Sequence, residues 1–72
     1  MEQQLLRIQD VCKRIGLRRS TIYRMLAEKR FPQPVQLGER ARAWPASEVD
    51  QWVKNKILER DQAAQMAERE AA

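Results

Sequence analysis

The chain has 72 residues, enough for one small domain that buries about 60% of the surface its unfolded form exposes, and too few for a deep catalytic cavity. Histidine is absent and Cys12 is the lone cysteine, which removes the commonest general base and rules out an internal disulfide or a cysteine-only zinc site. The formal charge of +4 is unevenly placed: residues 7–42 hold ten Lys/Arg against three acids, while residues 43–72 hold four against six.

Leu5–Ile8 is a short apolar stretch, suited either to an edge strand or to a docking arm. Gln9–Gly16 reads as a short helix with Val11, Cys12 and Ile15 on one side and Lys13 and Arg14 on the other. Asp10 in its first turn suits the helix dipole, and Gly16 is a natural C-terminal cap. Cys12 is most simply a small buried hydrophobe. Lys13 and Arg14 are either a solvated face or loose phosphate contacts. A second helix is expected over Arg19–Lys29. At about 100° per residue, Ile22, Met25 and Leu26 share one stripe, Ser20, Arg24 and Ala27 lie opposite, and Tyr23 falls on the flank. Two short helices joined by a glycine-containing turn have the pattern of a helix-turn-helix.

Pro32 and Pro34 end any helix and favour extended backbone. Val35 and Leu37 alternate with Gln36, and Gly38 opens a turn from which Ala41–Trp44 returns as a second strand. The expected hairpin, or wing, is tipped by Gly38, Glu39 and Arg40. Arg42 shares strand parity with Trp44, so alternation leaves open whether it faces core or groove. Ser47 with Asp50 resembles a capping box, and Val49, Trp52, Val53 and Ile57 then form an apolar helical stripe. Trp44 and Trp52 are core candidates, and Leu58 falls on the opposite face. Residues 1–58 are expected to form the domain and residues 59–72 a polar helical or frayed tail. The competing reading of that tail is a self-association helix using Leu58 and Met66.

Arginines and hydroxyls gather where the second helix begins. That end carries unpaired backbone N–H groups and a partial positive charge, and a helix-turn-helix presents it to the major groove. Arg24 with Arg18 or Arg19 suits guanine edges, while Ser20, Thr21 and Tyr23 hydroxyls suit phosphate oxygens. Arg40 at the hairpin tip and Arg42 complete the candidate DNA-binding set. The plainer alternatives are a Tyr23 that flanks the core, a Thr21 that caps the first turn and an Arg40 that is an idle surface charge. No apolar run approaches the roughly 20 residues of a membrane span, and the N-terminus lacks a signal-peptide core. The expected location is therefore cytoplasmic and nucleoid-associated, with no membrane partner.

The segment "GLRRSTIYRMLAEKRFPQPVQLGERARAWPASEVDQWV" resembles the AlpA family of small prophage regulators, related to phage excisionases. The motifs that carry the resemblance are Ser20-Thr21-Ile22-Tyr23-Arg24, Phe31-Pro32-Gln33-Pro34, Gly38 with Arg40, Trp44, and Ser47-Glu48-Val49 leading to Trp52. It departs from the pattern at Arg18, where serine is usual and would cap the helix, and at Lys29, where glycine is usual. A lysine in a left-handed conformation there costs roughly 1–2 kcal/mol. The resemblance implies a mainly α chain with a small β-hairpin: a winged helix-turn-helix of the MerR/excisionase type with a helical C-terminal extension. It implies a non-enzymatic, cofactor-free activator of integrase or excision genes that binds double-stranded DNA. The alternatives are an architectural excisionase that bends attachment-site DNA and a small protein-binding inhibitor. Integrase or RNA polymerase is the implied protein partner. A homodimer or a cooperative oligomer on DNA is the expected assembly.

Overall fold

The computed structural model describes residues 4–71, with side chains through Arg69. The element order is β1 (Leu5–Leu6), α1 (Ile8–Ile15), α2 (Arg19–Ala27), β2 (Val35–Gln36), β3 (Arg42–Pro45) and α3 (Ala46–Ala71). The fold is mainly helical, with one small three-stranded antiparallel sheet in the order β1-β3-β2. Of the two readings of Leu5–Ile8, the edge strand is the one found. Leu5 pairs with Pro45 and Leu6 with Trp44, and the Ala46 N–H donates to the Gln4 carbonyl at 2.8 Å.

Local chemistry explains the helix ends. Asp10 sits in the first turn of α1, and its carboxylate accepts a hydrogen bond from the Arg7 backbone N–H at 3.3 Å. Gly16 closes α1 at φ +73°, and its N–H donates to the Cys12 carbonyl at 2.8 Å. Helix α2 ends two residues earlier than its sequence pattern predicts, at Ala27. Lys29 then takes the left-handed conformation, φ 59°. Its N–H donates to the Leu26 carbonyl at 3.1 Å and the Arg30 N–H to the Met25 carbonyl at 2.7 Å. This pair of bonds is a Schellman closure, and it holds a lysine where glycine is the easier occupant.

The core lies between the two short helices, the sheet and the start of α3. Leu6, Val11, Ile22, Met25, Phe31, Trp44, Ala46 and Val49 form its buried cluster, with Ile8, Cys12, Ile15, Leu17, Leu26 and Trp52 packed against it partly exposed. Cys12 thus sits at the core margin. Trp44 is 1% exposed, and its indole N–H donates to the Pro32 carbonyl at 2.8 Å. Phe31 stands edge-on to both tryptophan rings, 6.3 Å from Trp44 and 5.0 Å from Trp52. Trp52 is only half-buried, because its indole N–H reaches out to the Arg30 carbonyl at 2.9 Å. The proline-rich segment is therefore anchored to both tryptophans through its backbone carbonyls and through Phe31.

Two details of the sequence pattern are corrected. Helix α3 starts at Ala46, immediately after β3 and one residue before the expected cap at Ser47. Asp50 accepts two hydrogen bonds from the Arg14 guanidinium at 3.0 and 3.4 Å. Ile57, placed on the apolar stripe, is exposed, as is Leu58 opposite it. Ile57 and Arg60 still line a shallow surface with Arg14 and Ile15 of α1, and α3 continues beyond them as an exposed helix through Arg69.

Candidate nucleic-acid interface

Helix α2 divides its residues cleanly. Ile22 and Met25 are buried, and Thr21 and Leu26 are half-buried on either flank of the same side. Arg19, Ser20, Tyr23 and Arg24 are exposed, as is Arg18 just before the helix. Tyr23 keeps 44% of its surface exposed. Arg18 is the N-cap residue in extended conformation and makes no side-chain cap hydrogen bond. Arginine has five donors and no acceptor, so it cannot serve the first-turn N–H groups as serine would. Those donors stay available to an anion.

The second part of the site is the β2–β3 hairpin, in which Val35 pairs with Ala43 and Gln36 with Arg42. Its turn is closed by the Leu37 N–H donating to the Ala41 carbonyl at 2.7 Å, and the Gln36 side-chain amide adds a bond to the Gly38 carbonyl at 3.1 Å. Arg42 is exposed although Trp44, on the same strand parity, is buried. The strand order gives the reason. Strand β1 extends only to the Leu6–Trp44 pair, so Arg42 lies beyond its cover.

Arg40 and Arg42 line an open groove of about 450 Å³ together with Tyr23 of α2, Glu39, and two residues at the start of α1, Arg7 and Gln9. The structure thus brings Tyr23, Arg40 and Arg42 together. Arg18, Arg19, Ser20 and Arg24 are not in the groove lining but along the neighbouring turn and outer side of α2, and Thr21, also outside the lining, is half-buried on the flank of the inner side. Tyr23 belongs to both regions. Arg7 and Gln9 escape the sequence pattern because the antiparallel pairing of Leu6 with Trp44 is what carries the residues after Leu6 towards those before Trp44. The only signal in the sequence is the position of Arg7 within the basic half.

Charge pairing separates the cations into two groups. Arg14 pairs with Asp50, Arg30 with Glu28, Lys56 with Glu59 and Arg60 with Asp61, at 3.0, 3.6, 3.3 and 2.9 Å. Among the described residues, Arg7, Arg18, Arg19, Arg24, Arg40 and Arg42 make no ion pair, and neither do Lys13, Lys29, Lys54 and Arg69 away from this surface. Six guanidinium groups without internal counter-charges thus occupy the exposed side of α2 and the adjoining groove.

The family described as "Prophage CP4-57 regulatory protein (AlpA)" matches residues 4–57. The chain belongs to the AlpA family. A relative from Enterobacteria phage P4, described as "Uncharacterized protein ORF88", is 39% identical over 59 residues, covering 82% of this chain and 67% of that protein. No solved structure matches the chain. The AlpA match takes in the sheet, both short helices, the hairpin and the part of α3 that packs on the core. It ends at Ile57, within α3. AlpA is a family of prophage regulatory proteins, and regulation rather than catalysis is the role that membership gives this chain. Among the described residues no group of three or more His, Cys, Asp or Glu is placed to hold a metal. No described helix is long and apolar enough to cross a membrane.

Proposed function

We propose that this AlpA protein is a winged helix-turn-helix regulator that binds double-stranded DNA sequence-specifically and activates integrase or excision genes of a prophage or integrative element. The observation that carries the reading is the set of six arginines without internal ion pairs along α2 and the groove. Four cations elsewhere, Arg14, Arg30, Lys56 and Arg60, are paired with acids of their own. In this reading α2 enters the major groove, with Arg24 and one of Arg18 or Arg19 at guanine edges. The hydroxyls of Ser20, Thr21 and Tyr23 take phosphate oxygens, and the hairpin acts as the wing, with Arg40 and Arg42 on the flanking backbone. The uncapped first turn of α2 adds backbone N–H donors to a nearby phosphate.

A single module of this size buries only about 600–1,000 Å² on DNA, so stable occupancy draws on a second contact. The distal half of α3 supports that part of the proposal. It presents Ile57, Leu58 and Met66 to solvent, available to a second copy, to integrase or to RNA polymerase.

The test is footprinting on fragments of the protein's own genomic element, with excess competitor DNA, at about 0.15 M salt. Protection of one discrete promoter site is the expected result. Phased protection across an attachment site, with bending of the DNA, would replace the activator with an architectural excisionase. Binding that competitor removes would redirect the function to a protein target.

A further inference from the structure

The groove beneath the hairpin contains a cation that the reading of α2 as a recognition helix leaves without a task. Arg7 comes from the junction between β1 and α1, Arg40 and Arg42 come from the hairpin, and Tyr23 comes from α2. Three chain segments distant in sequence thus deliver three guanidinium groups and a phenol to one concave surface. None of the three arginines has an ion-pair partner among the described residues, although Glu39 lies in the same lining. The floor is fixed. Leu6 and Trp44 are buried and paired across β1 and β3, so the backbone carrying Arg7 and that carrying Arg42 are held in one register.

Three cations against the single acid Glu39 leave the groove with a net positive charge that an entering anion neutralises. Guanidinium forks match phosphate geometry, and a tyrosine hydroxyl adds a further donor. We propose that Arg7 and Arg42, with Arg40 and Tyr23, form a clamp for one backbone phosphate of the DNA, and that Arg7 is a DNA-contacting residue acting independently of base identity. This rests on the DNA-binding reading above and assigns it a further residue. Because Tyr23 sits on α2 as well as in the groove, the clamped phosphate sets the register of the recognition helix along the duplex. The clamp contributes affinity and positioning, and the outer side of α2 contributes choice of sequence.

The test uses the full chain, the protected DNA site and a scrambled duplex of equal length, with affinities measured across a range of salt concentrations. Arg7→Gln is expected to weaken binding to both duplexes by the same factor, roughly tenfold. The slope of log affinity against log salt should fall by about one, and the preference for the site should stay unchanged. Arg7→Lys, which keeps the charge, is expected to recover the slope. A single methylphosphonate replacing the clamped phosphate should weaken the wild-type chain and leave Arg7→Gln unaffected. Arg7 is exposed, and an unchanged circular dichroism melt shows that the variant folds. Wild-type binding with an Arg7→Gln variant of equal affinity and slope overturns the clamp and leaves the DNA reading standing. Loss of site preference in that variant overturns it as well, because Arg7 would then read a base. Saturation of the Arg7 and Arg42 side-chain NMR signals by micromolar inorganic phosphate, without DNA, overturns it in favour of a soluble phosphate ligand. Failure of the wild-type chain to bind either duplex overturns both readings.

Discussion

Lys29 shows how a single side chain can sit against its backbone's preference. Its φ of 59° closes α2 through two backbone hydrogen bonds, and a left-handed lysine costs roughly 1–2 kcal/mol. Replacing Lys29 by glycine removes that strain while adding roughly 0.5–1 kcal/mol of unfolded-state freedom. The expected net gain is under about 1 kcal/mol, an increase in Tm of a few degrees, measured by thermal unfolding. A Tm unchanged or lowered would show that the helix exit is relaxed as it stands. Other residues were legible from type alone. Gly16 caps α1 as its position predicts, and Trp44 is buried with its indole N–H satisfied. Arg7 was not legible, since its neighbours are brought to it by strand pairing rather than by sequence spacing.

At the scale of elements, periodicity marked both short helices and the buried side of α2, because apolar side chains recurring every three to four residues have one way to be covered. It left the facing of Arg42 open at β3, where Ala43, Trp44 and Pro45 are all buried while Arg42 is exposed. A central strand covered on both faces does not alternate, and the extent of cover is set by a partner strand only two residues long. The start of α3 lies one residue before the expected cap at Ser47. Asp50, read as part of that cap, accepts a hydrogen bond from Arg14 of α1 across 36 residues of sequence. Both side chains of that pair are more than one-third exposed, so solvent screening keeps its worth to at most about 1 kcal/mol. Arg14→Gln is accordingly expected to lower stability by less than about that amount and to leave DNA affinity and its salt slope unchanged, as urea unfolding and binding titrations would show. A slope reduced by the substitution would instead place Arg14 among the phosphate contacts.

The whole molecule measures 55 × 31 × 19 Å, an elongated outline consistent with a body extended by α3. The sequence marked residues 59–72 as apart from the core because they hold almost nothing to bury, and every described side chain there is exposed. What their helical continuation is for could not be read from periodicity, since its apolar residues are few and scattered. We expect a chain ending at Leu58 to keep its cooperative melt and its affinity for a single site, while losing cooperative filling of two adjacent sites. Circular dichroism and a two-site gel-shift titration measure these outcomes. A fall in single-site affinity would show that the extension itself touches DNA.

The most direct test of the account compares the wild-type chain with Arg24→Ala on the protected site and on a scrambled duplex, at fixed salt of about 0.15 M. If the outer side of α2 reads base edges, the variant loses about 1–3 kcal/mol on the site, roughly 5- to 150-fold, and little on the scrambled duplex. Equal losses on both duplexes, or none on either, would contradict α2 as the recognition helix.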